Sequence, residues 1–191
     1  MKTQKLYIKN MVCSRCVKML QLELNSIGVE VKKIQLGEVV ISYDSEKLGM
    51  KQIKELLERN EFELIADKEK QIVEKVKMAV IEMLDASVKQ ELSLKNSEYI
   101  SEKVGNNYSY LSRLFAKHQK MTIEQYSILL KMEKVKELLE HEEDAMSEIA
   151  DKIGYSSVQY LAKQFKNSTG FSIADYKKFI RINRKPLDRI Q

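Results

Sequence analysis

The chain has 191 residues, 43% hydrophobic and 32% charged, with a formal net charge of +5. This describes a soluble globular protein able to bury a core, and the length suits one large or two small domains. Apolar runs reach only a few residues, which excludes a membrane-spanning helix, and MKTQKLYIK lacks the apolar block of a signal peptide, so a reducing, cytoplasmic location is expected.

Residues 5–11 alternate, with Leu6 and Ile8 on one face and Tyr7 and Lys9 on the other, which is strand period. NMVCSRC follows and holds the only two cysteines, Cys13 and Cys16. In a reducing compartment such a pair points to metal binding or redox chemistry rather than a structural staple. CVKMLQLELNSIG then sets Val17, Leu20, Leu24 and Ile27 at helical spacing and stops at Gly28. VEVKKIQLGEVVISYD reads as two strands broken at Gly37 and Glu38. A helical stripe of Ile53, Leu56 and Leu57 and a short strand at 62–67 complete the order βαββαβ. That order in about 65 residues predicts an α+β, ferredoxin-like split-βαβ domain.

From Lys68 no further strand is expected. KEKQIVEKVKMAVIEMLDA reads as a helix with Ile72, Val76, Ala79, Val80 and Met83 on one side. The expected division is 1–67 and 68–191, without a Gly/Ser/Pro linker, since the one proline is Pro186. The second part is all-α and contains an internal repeat. ISEKVGNNYSYLSRLFAKHQKMTIEQY, 100–126, aligns with IADKIGYSSVQYLAKQFKNSTGFSIADY, 149–176. Each copy reads as a short helix, a glycine-bearing turn and a second helix, and KMEKVKELLEHEED joins them as a helix with Met132, Val135, Leu138 and Leu139 inward.

Each second helix has an expected buried stripe: Tyr110, Leu111, Leu114 and Phe115 in the first copy, Tyr160, Leu161 and Phe165 in the second. The free faces then show Ser109, Ser112, Arg113 and Lys117, and Gln159, Lys163 and Gln164. Arginine can grip guanine and glutamine adenine through paired hydrogen bonds, so these faces suit a DNA major groove. The basic tail, with Arg181, Arg184 and Lys185, suits either phosphate contact or plain solvation.

On these residues, about 70 to 180 resembles the DNA-binding domain of the AraC/XylS transcription-regulator family, most specifically over SEIADKIGYSSVQYLAKQFKNSTGFSIADYKK. The resemblance implies two helix-turn-helix units entering successive major-groove segments of double-stranded DNA, about 34 Å apart. By position it carries the reading role to Ser109, Ser112 and Arg113, and to Val158, Gln159, Ala162 and Lys163. The family often has glycine at Lys120, arginine at Lys131 and proline at Ile173, so local turn geometry is where this chain departs.

Residues 3–67, with Met11, Cys13 and Cys16 forming MxCxxC between strand and helix, resemble the heavy-metal-associated domain of copper chaperones and P-type ATPases. That resemblance implies that Met11 packs beneath the loop and that Phe62 stands near the metal. Two thiolates at a helix N-terminus favour a soft ion, with Cu(I) the best fit, and Arg15 and Lys18 add positive charge. A thiol-redox switch, or a domain serving only to pair two chains as a homodimer, fits the same residues. The expected protein is a metal-responsive transcription regulator that is not an enzyme. No Ser/His/Asp set or phosphate-cradling glycine loop stands out, His118 and His141 read as surface residues, and Glu142 and Glu143 read as solvated. A metal-trafficking protein whose helical domain binds a protein partner is the other class.

Overall fold

A computed structural model describes residues 1–88, 96–141 and 144–179. The chain divides into two compact units, Met1–Met78 and Ala79–Gln191.

The first unit runs β1 (Lys2–Lys9), α1 (Ser14–Ser26), β2 (Glu30–Gln35), β3 (Glu38–Tyr43), α2 (Met50–Arg59) and β4 (Glu63–Leu64). It ends within α3 (Lys68–Val88). The strands form one sheet in the order β2-β3-β1-β4, every neighbouring pair antiparallel. Because strand side chains alternate between faces, Leu6 and Ile8 of β1 and Val39 and Ile41 of β3 fall on the same side. They bury against Leu20 and Leu24 of α1 and Ile53, Leu56 and Leu57 of α2 in one core. Burying each large aliphatic side chain is worth about 1.5–3 kcal/mol, enough for this face to fix the strand register.

Residues on and beside β1 also meet α3. Lys75 Nζ lies 5.0 Å from the Tyr7 ring centroid, and Gln71 Nε2 donates to the Ile65 carbonyl at 2.8 Å. At Gly37, with φ +73°, an added Cβ would stand 3.0 Å from Met78 Cγ. The expected division at 67/68 marks the change from strand to helix. The compact unit extends to Met78 because the first half of α3 makes its contacts with the sheet.

The second unit contains α4 (Asn96–Val104), α5 (Tyr108–Gln119), α6 (Ile123–His141), α7 (Met146–Ile153), α8 (Val158–Thr169) and α9 (Ile173–Phe179). Its helix pairs α4–α5 and α7–α8 share one construction. Gly105 and Gly154 both take φ 76°, a left-handed turn that costs glycine nothing. The following helices start on side-chain caps. Asn107 Oδ1 accepts the Tyr110 N–H at 2.9 Å, and Ser157 Oγ accepts the Tyr160 N–H at 3.2 Å.

Ile100, Leu111 and Phe115 are buried in the first pair, Ile149, Ile153, Leu161 and Phe165 in the second. Helix α6 touches α5, α7 and α8 and so ties the pairs together. It begins earlier than the KMEKVKELLEHEED stretch suggests, because Thr122 and Gln125 form a reciprocal cap. The Thr122 N–H reaches Gln125 Oε1 at 2.8 Å, and the Gln125 N–H reaches Thr122 Oγ1 at 3.1 Å. Met132, Val135 and Leu139 are buried as expected, while Leu138 is half-buried. In α3, Ile72 is likewise half-buried rather than core. Among the described residues no helix is long and apolar enough to cross a membrane.

Candidate thiol site and candidate nucleic-acid interface

The thiol loop is set by an unusual backbone. Asn10 closes β1 at φ 70°, a conformation asparagine tolerates better than most side chains. Its Nδ2 donates to the Glu61 carbonyl at 3.0 Å, and Glu61 is itself left-handed at φ 62°. The turn after β1 is thereby bonded to the turn before β4. On either side of this link, Met11 and Phe62 are both buried in the sheet–helix core. Met11 thus packs beneath the loop, and Phe62 is a core residue.

Cys13 is the N-cap of α1, extended at φ −150° and ψ 167°, and its side chain caps no N–H. Its carbonyl accepts the Val17 N–H at 3.3 Å. Cys16 follows in the first helical turn and packs against the core. This spacing brings the two sulfurs to 3.4 Å, both as free thiols, Cys13 exposed and Cys16 half-buried. For Cys16, burial pushes the thiol pKa up, and its hydrogen bond with Cys13 adds to the rise. The Val12 and Cys13 backbone groups pull the other way without winning. Burial therefore outweighs the backbone groups at the start of the helix.

Among the described residues no cluster of three or more His, Cys, Asp or Glu side chains is placed to hold a metal. The donor set at this loop is two converging sulfurs. That chemistry fits a soft ion content with two thiolates and does not supply the four ligands of a structural zinc.

In the second unit Ser109, Arg113 and Lys117 are exposed on α5, with Ser112 half-buried. On α8 Gln159 and Lys163 are exposed, with Val158, Ala162 and Gln164 half-buried. Aligning Leu111 with Leu161 sets Arg113 against Lys163 and Ser112 against Ala162. Tyr160 corrects the sequence reading: expected to point inward, it is 49% exposed. Leu161 already fills the inward position, and one helical step turns Tyr160 well off that stripe.

The second turn is also one residue longer, Gly154-Tyr155-Ser156-Ser157 against Gly105-Asn106-Asn107. Tyr155 supplies a platform there. The Tyr160 ring meets it edge-on at 5.5 Å, and Lys131 Nζ of α6 lies 5.1 Å from its centroid. Burial holds the Lys131 pKa below its ordinary value. This aromatic step was legible only in the length difference between the two copies.

The left-handed position that ends each of these helices differs between copies. Gly170 takes it after α8 with φ 80°, whereas Lys120 takes it after α5 with φ 59°. His118 is half-buried rather than plainly on the surface. Arg181, Arg184, Lys185, Glu142 and Glu143 lie outside the described residues.

Residues 100–178, which run from within α4 to within α9, match the family described as "Helix-turn-helix domain". The chain is also 31% identical over 84 residues to the Msm operon regulatory protein of Streptococcus mutans serotype c, a match spanning 44% of this chain and 30% of that protein. The chain thus spans less than a third of the length of that curated relative.

Solved structures similar to it include the C-terminal domain of AraT, a response regulator from Geobacillus stearothermophilus. That likeness has a TM-score of 0.48 and 24% identity, covering 60% of this chain and 90% of that one. A DNA-binding transcriptional dual regulator from Escherichia coli K-12 has a TM-score of 0.46 and 17% identity, covering 56% and 92%.

Proposed function

We propose that the protein is a sequence-specific DNA-binding transcription regulator of the AraC/XylS type, with a soft-metal input at Cys13 and Cys16, Cu(I) favoured. The observation that supports it most is the duplication within the helix-turn-helix domain. Two helix pairs share a left-handed glycine, Gly105 and Gly154, followed by a side-chain cap at Asn107 and Ser157. Each cap is followed by a helix whose outer face is polar and cationic. In this reading α5 and α8 enter successive major-groove segments, with Arg113 and Lys163 at equivalent positions and Gln159 beside the second. The regulator reading carries no enzymatic step.

The first unit, with its ferredoxin-like βαββαβ order, serves as the sensor. Cys13 and Cys16 hold the ion, Met11 anchors the loop from below, and Phe62 keeps the adjoining core dry. A soft cation supplies affinity for thiolate over oxygen and nitrogen donors, and its capture releases the thiol protons. Occupancy then biases DNA affinity by favouring one arrangement of the chain over another.

The test is a DNA-shift assay on the full chain, without oxygen, with and without Cu(I). It is repeated with the Cys13→Ser, Cys16→Ser pair. Cu(I) should change the affinity of the natural chain and leave the double variant indifferent. DNA binding that ignores Cu(I) removes the sensor, and absence of salt-dependent DNA binding removes the regulator and favours metal trafficking.

One observation favours a redox input instead. The sulfurs already touch at 3.4 Å, so a two-electron oxidant taking both thiols to a disulfide, with loss of two protons, would need little backbone movement. Loss of both free thiols after mild peroxide, together with changed DNA affinity, would select that reading.

A further inference from the structure

We propose that Lys131, on α6, is a positioning residue for α8: acting through Tyr155 and Tyr160, it sets the base preference of Gln159 and Lys163 without touching DNA itself. This rests on the reading of α8 as a DNA-reading helix. The two copies differ in what holds that helix. Each outer helix packs one stripe inward, Leu111 and Phe115 in α5, Leu161 and Phe165 in α8. The stripe fixes the body of the helix and leaves its first turn to other groups. In both copies a side-chain cap holds the backbone there. Only the second copy adds an aromatic residue in the turn before the cap, Tyr155.

Tyr155 is anchored from two sides. Its N–H donates to the Ala150 carbonyl of α7 at 2.8 Å, which ties the turn to the helix before it. From α6, Lys131 Nζ lies 5.1 Å from the ring centroid. It stands at the turn itself, since a Cβ at Gly154 would be 3.7 Å from it. A cation over a ring face is attracted by the negative charge there. Among the described residues no carboxylate pairs with Lys131. The half-buried ammonium thus meets a ring face where a surface lysine would ordinarily meet water.

The braced ring then serves α8. Tyr160 meets it at 63°, an edge-on geometry that ring quadrupoles favour. Gln164 Nε2 donates to the Tyr160 hydroxyl at 3.4 Å. Ring contact and hydrogen bond together hold Tyr160 against the side of α8. The turn that carries this ring also carries Gln159, and Lys163 stands three residues on from Tyr160, on the neighbouring stretch of the same surface. Lys131 therefore steadies the first turn of α8 from α6, the helix that also touches α5. A small rotation of that turn takes a glutamine amide off an adenine edge, because paired hydrogen bonds tolerate little misalignment.

A purely structural role for Lys131 predicts a stability cost and an unchanged base preference. The positioning role predicts a loss of preference confined to one part of the DNA site. The experiment is selection by the full chain from a randomised DNA pool, with affinity for the selected sequence measured over a range of salt. Gln159→Ala marks the positions that α8 reads. Lys131→Gln should reduce discrimination at those positions about 2–5-fold, the factor that one exposed cation–π contact supports. The rest of the site and the salt dependence should stay as they are.

Lys131→Arg restores the cation and Tyr155→Phe keeps the ring, so both should retain the natural preference. Tyr155→Leu should lose it with Lys131 in place, and serves if Lys131→Gln does not fold. A Lys131→Gln chain that selects the natural sequence with undiminished discrimination overturns the inference. So does a loss that is uniform over all positions; with a salt slope shallower by about 0.9 it makes Lys131 a phosphate contact. A natural chain that enriches no sequence, or a Gln159→Ala chain that alters no position, is a different result, which refutes the reading of α8 and this inference with it.

Discussion

The ring of Tyr126 stands 5.4 Å from that of Phe115, centroid to centroid, tilted by 54°. Tyr176 and Phe165 repeat the relationship at 5.3 Å and 73° in the second copy. In each copy the phenylalanine comes from the outer helix of the pair and the tyrosine from the helix that follows. The pair thus fixes how the chain leaves each helix pair. Both phenylalanines are fully buried. Phe115→Ala and Phe165→Ala should each cost about 3–5 kcal/mol, as expected for losing a packed aromatic ring. Urea unfolding of the full chain gives the measurement, and a cost below about 1 kcal/mol at either site would show that its ring does not anchor the domain.

Lys120 occupies a left-handed position that its counterpart Gly170 fills without strain. A lysine there carries a Cβ that crowds the adjacent carbonyl. Lys120→Gly should therefore stabilise the domain by about 0.5–1 kcal/mol, the flexibility added to the unfolded chain offsetting part of the relieved strain. The reverse change, Gly170→Lys, should destabilise it. Thermal unfolding of the two variants checks the opposite signs, and equal signs would refute the account.

Much of this was legible in the sequence because the local signals agreed with the tertiary result. Alternation in β1, helical stripes in α1 and α2, and glycine stops gave the element order of the first unit. The repeat gave Gly105 and Gly154 their common role. Four features were not legible, each for a physical reason. Glu74 lies in the lysine-rich stretch KEKQIVEKVKM, where a carboxylate ordinarily reads as solvated, and only the folded chain buries it. Tyr160 looked like core because aromatic residues usually are, but Leu161 beside it takes the inward place. The start of α6 was hidden because TIEQY was grouped with the repeat, although Thr122 and Gln125 there have capping-box spacing. The thiol site was legible as a spacing and a helix position. The burial that raises the Cys16 pKa was not, since it depends on a core assembled from distant strands.

Tyr108 donates its phenolic hydrogen to the Glu124 carboxylate. That hydrogen bond holds the Glu124 pKa below its ordinary value, against a smaller upward push from burial. A carboxylate whose folded pKa is depressed contributes stability that is present above its unfolded value, about 4.3, and is lost as pH falls through the lower folded value. Tyr108→Phe should therefore cost about 0.5–1 kcal/mol near neutral pH, a figure kept small because Glu124 is exposed. The gap between natural chain and variant should close in acid. Denaturation midpoints compared at neutral pH and in acid provide the check, and a gap that widens in acid would reverse the sign of the argument.

Arg113 and Lys163 occupy matching positions on α5 and α8 and are both exposed. If each reads a base, Arg113→Ala and Lys163→Ala should each weaken specific DNA binding by about 1–3 kcal/mol and relax preference at one position of the site. In that case the two losses should add, because the helices would contact separate groove segments. The surroundings differ, however. Lys163 shares its helix with Gln159 and Tyr160, whereas Arg113 is flanked by Ser109 and Ser112, too short to reach far into a groove. The first copy should thus depend more heavily on Arg113, and Arg113→Lys should already lose most of the discrimination that paired guanidinium bonds supply. Binding to a randomised DNA pool, sequenced after selection, measures both effects at once. A uniform loss across all sequences, with a shallower salt dependence, would reassign either residue to the phosphate backbone.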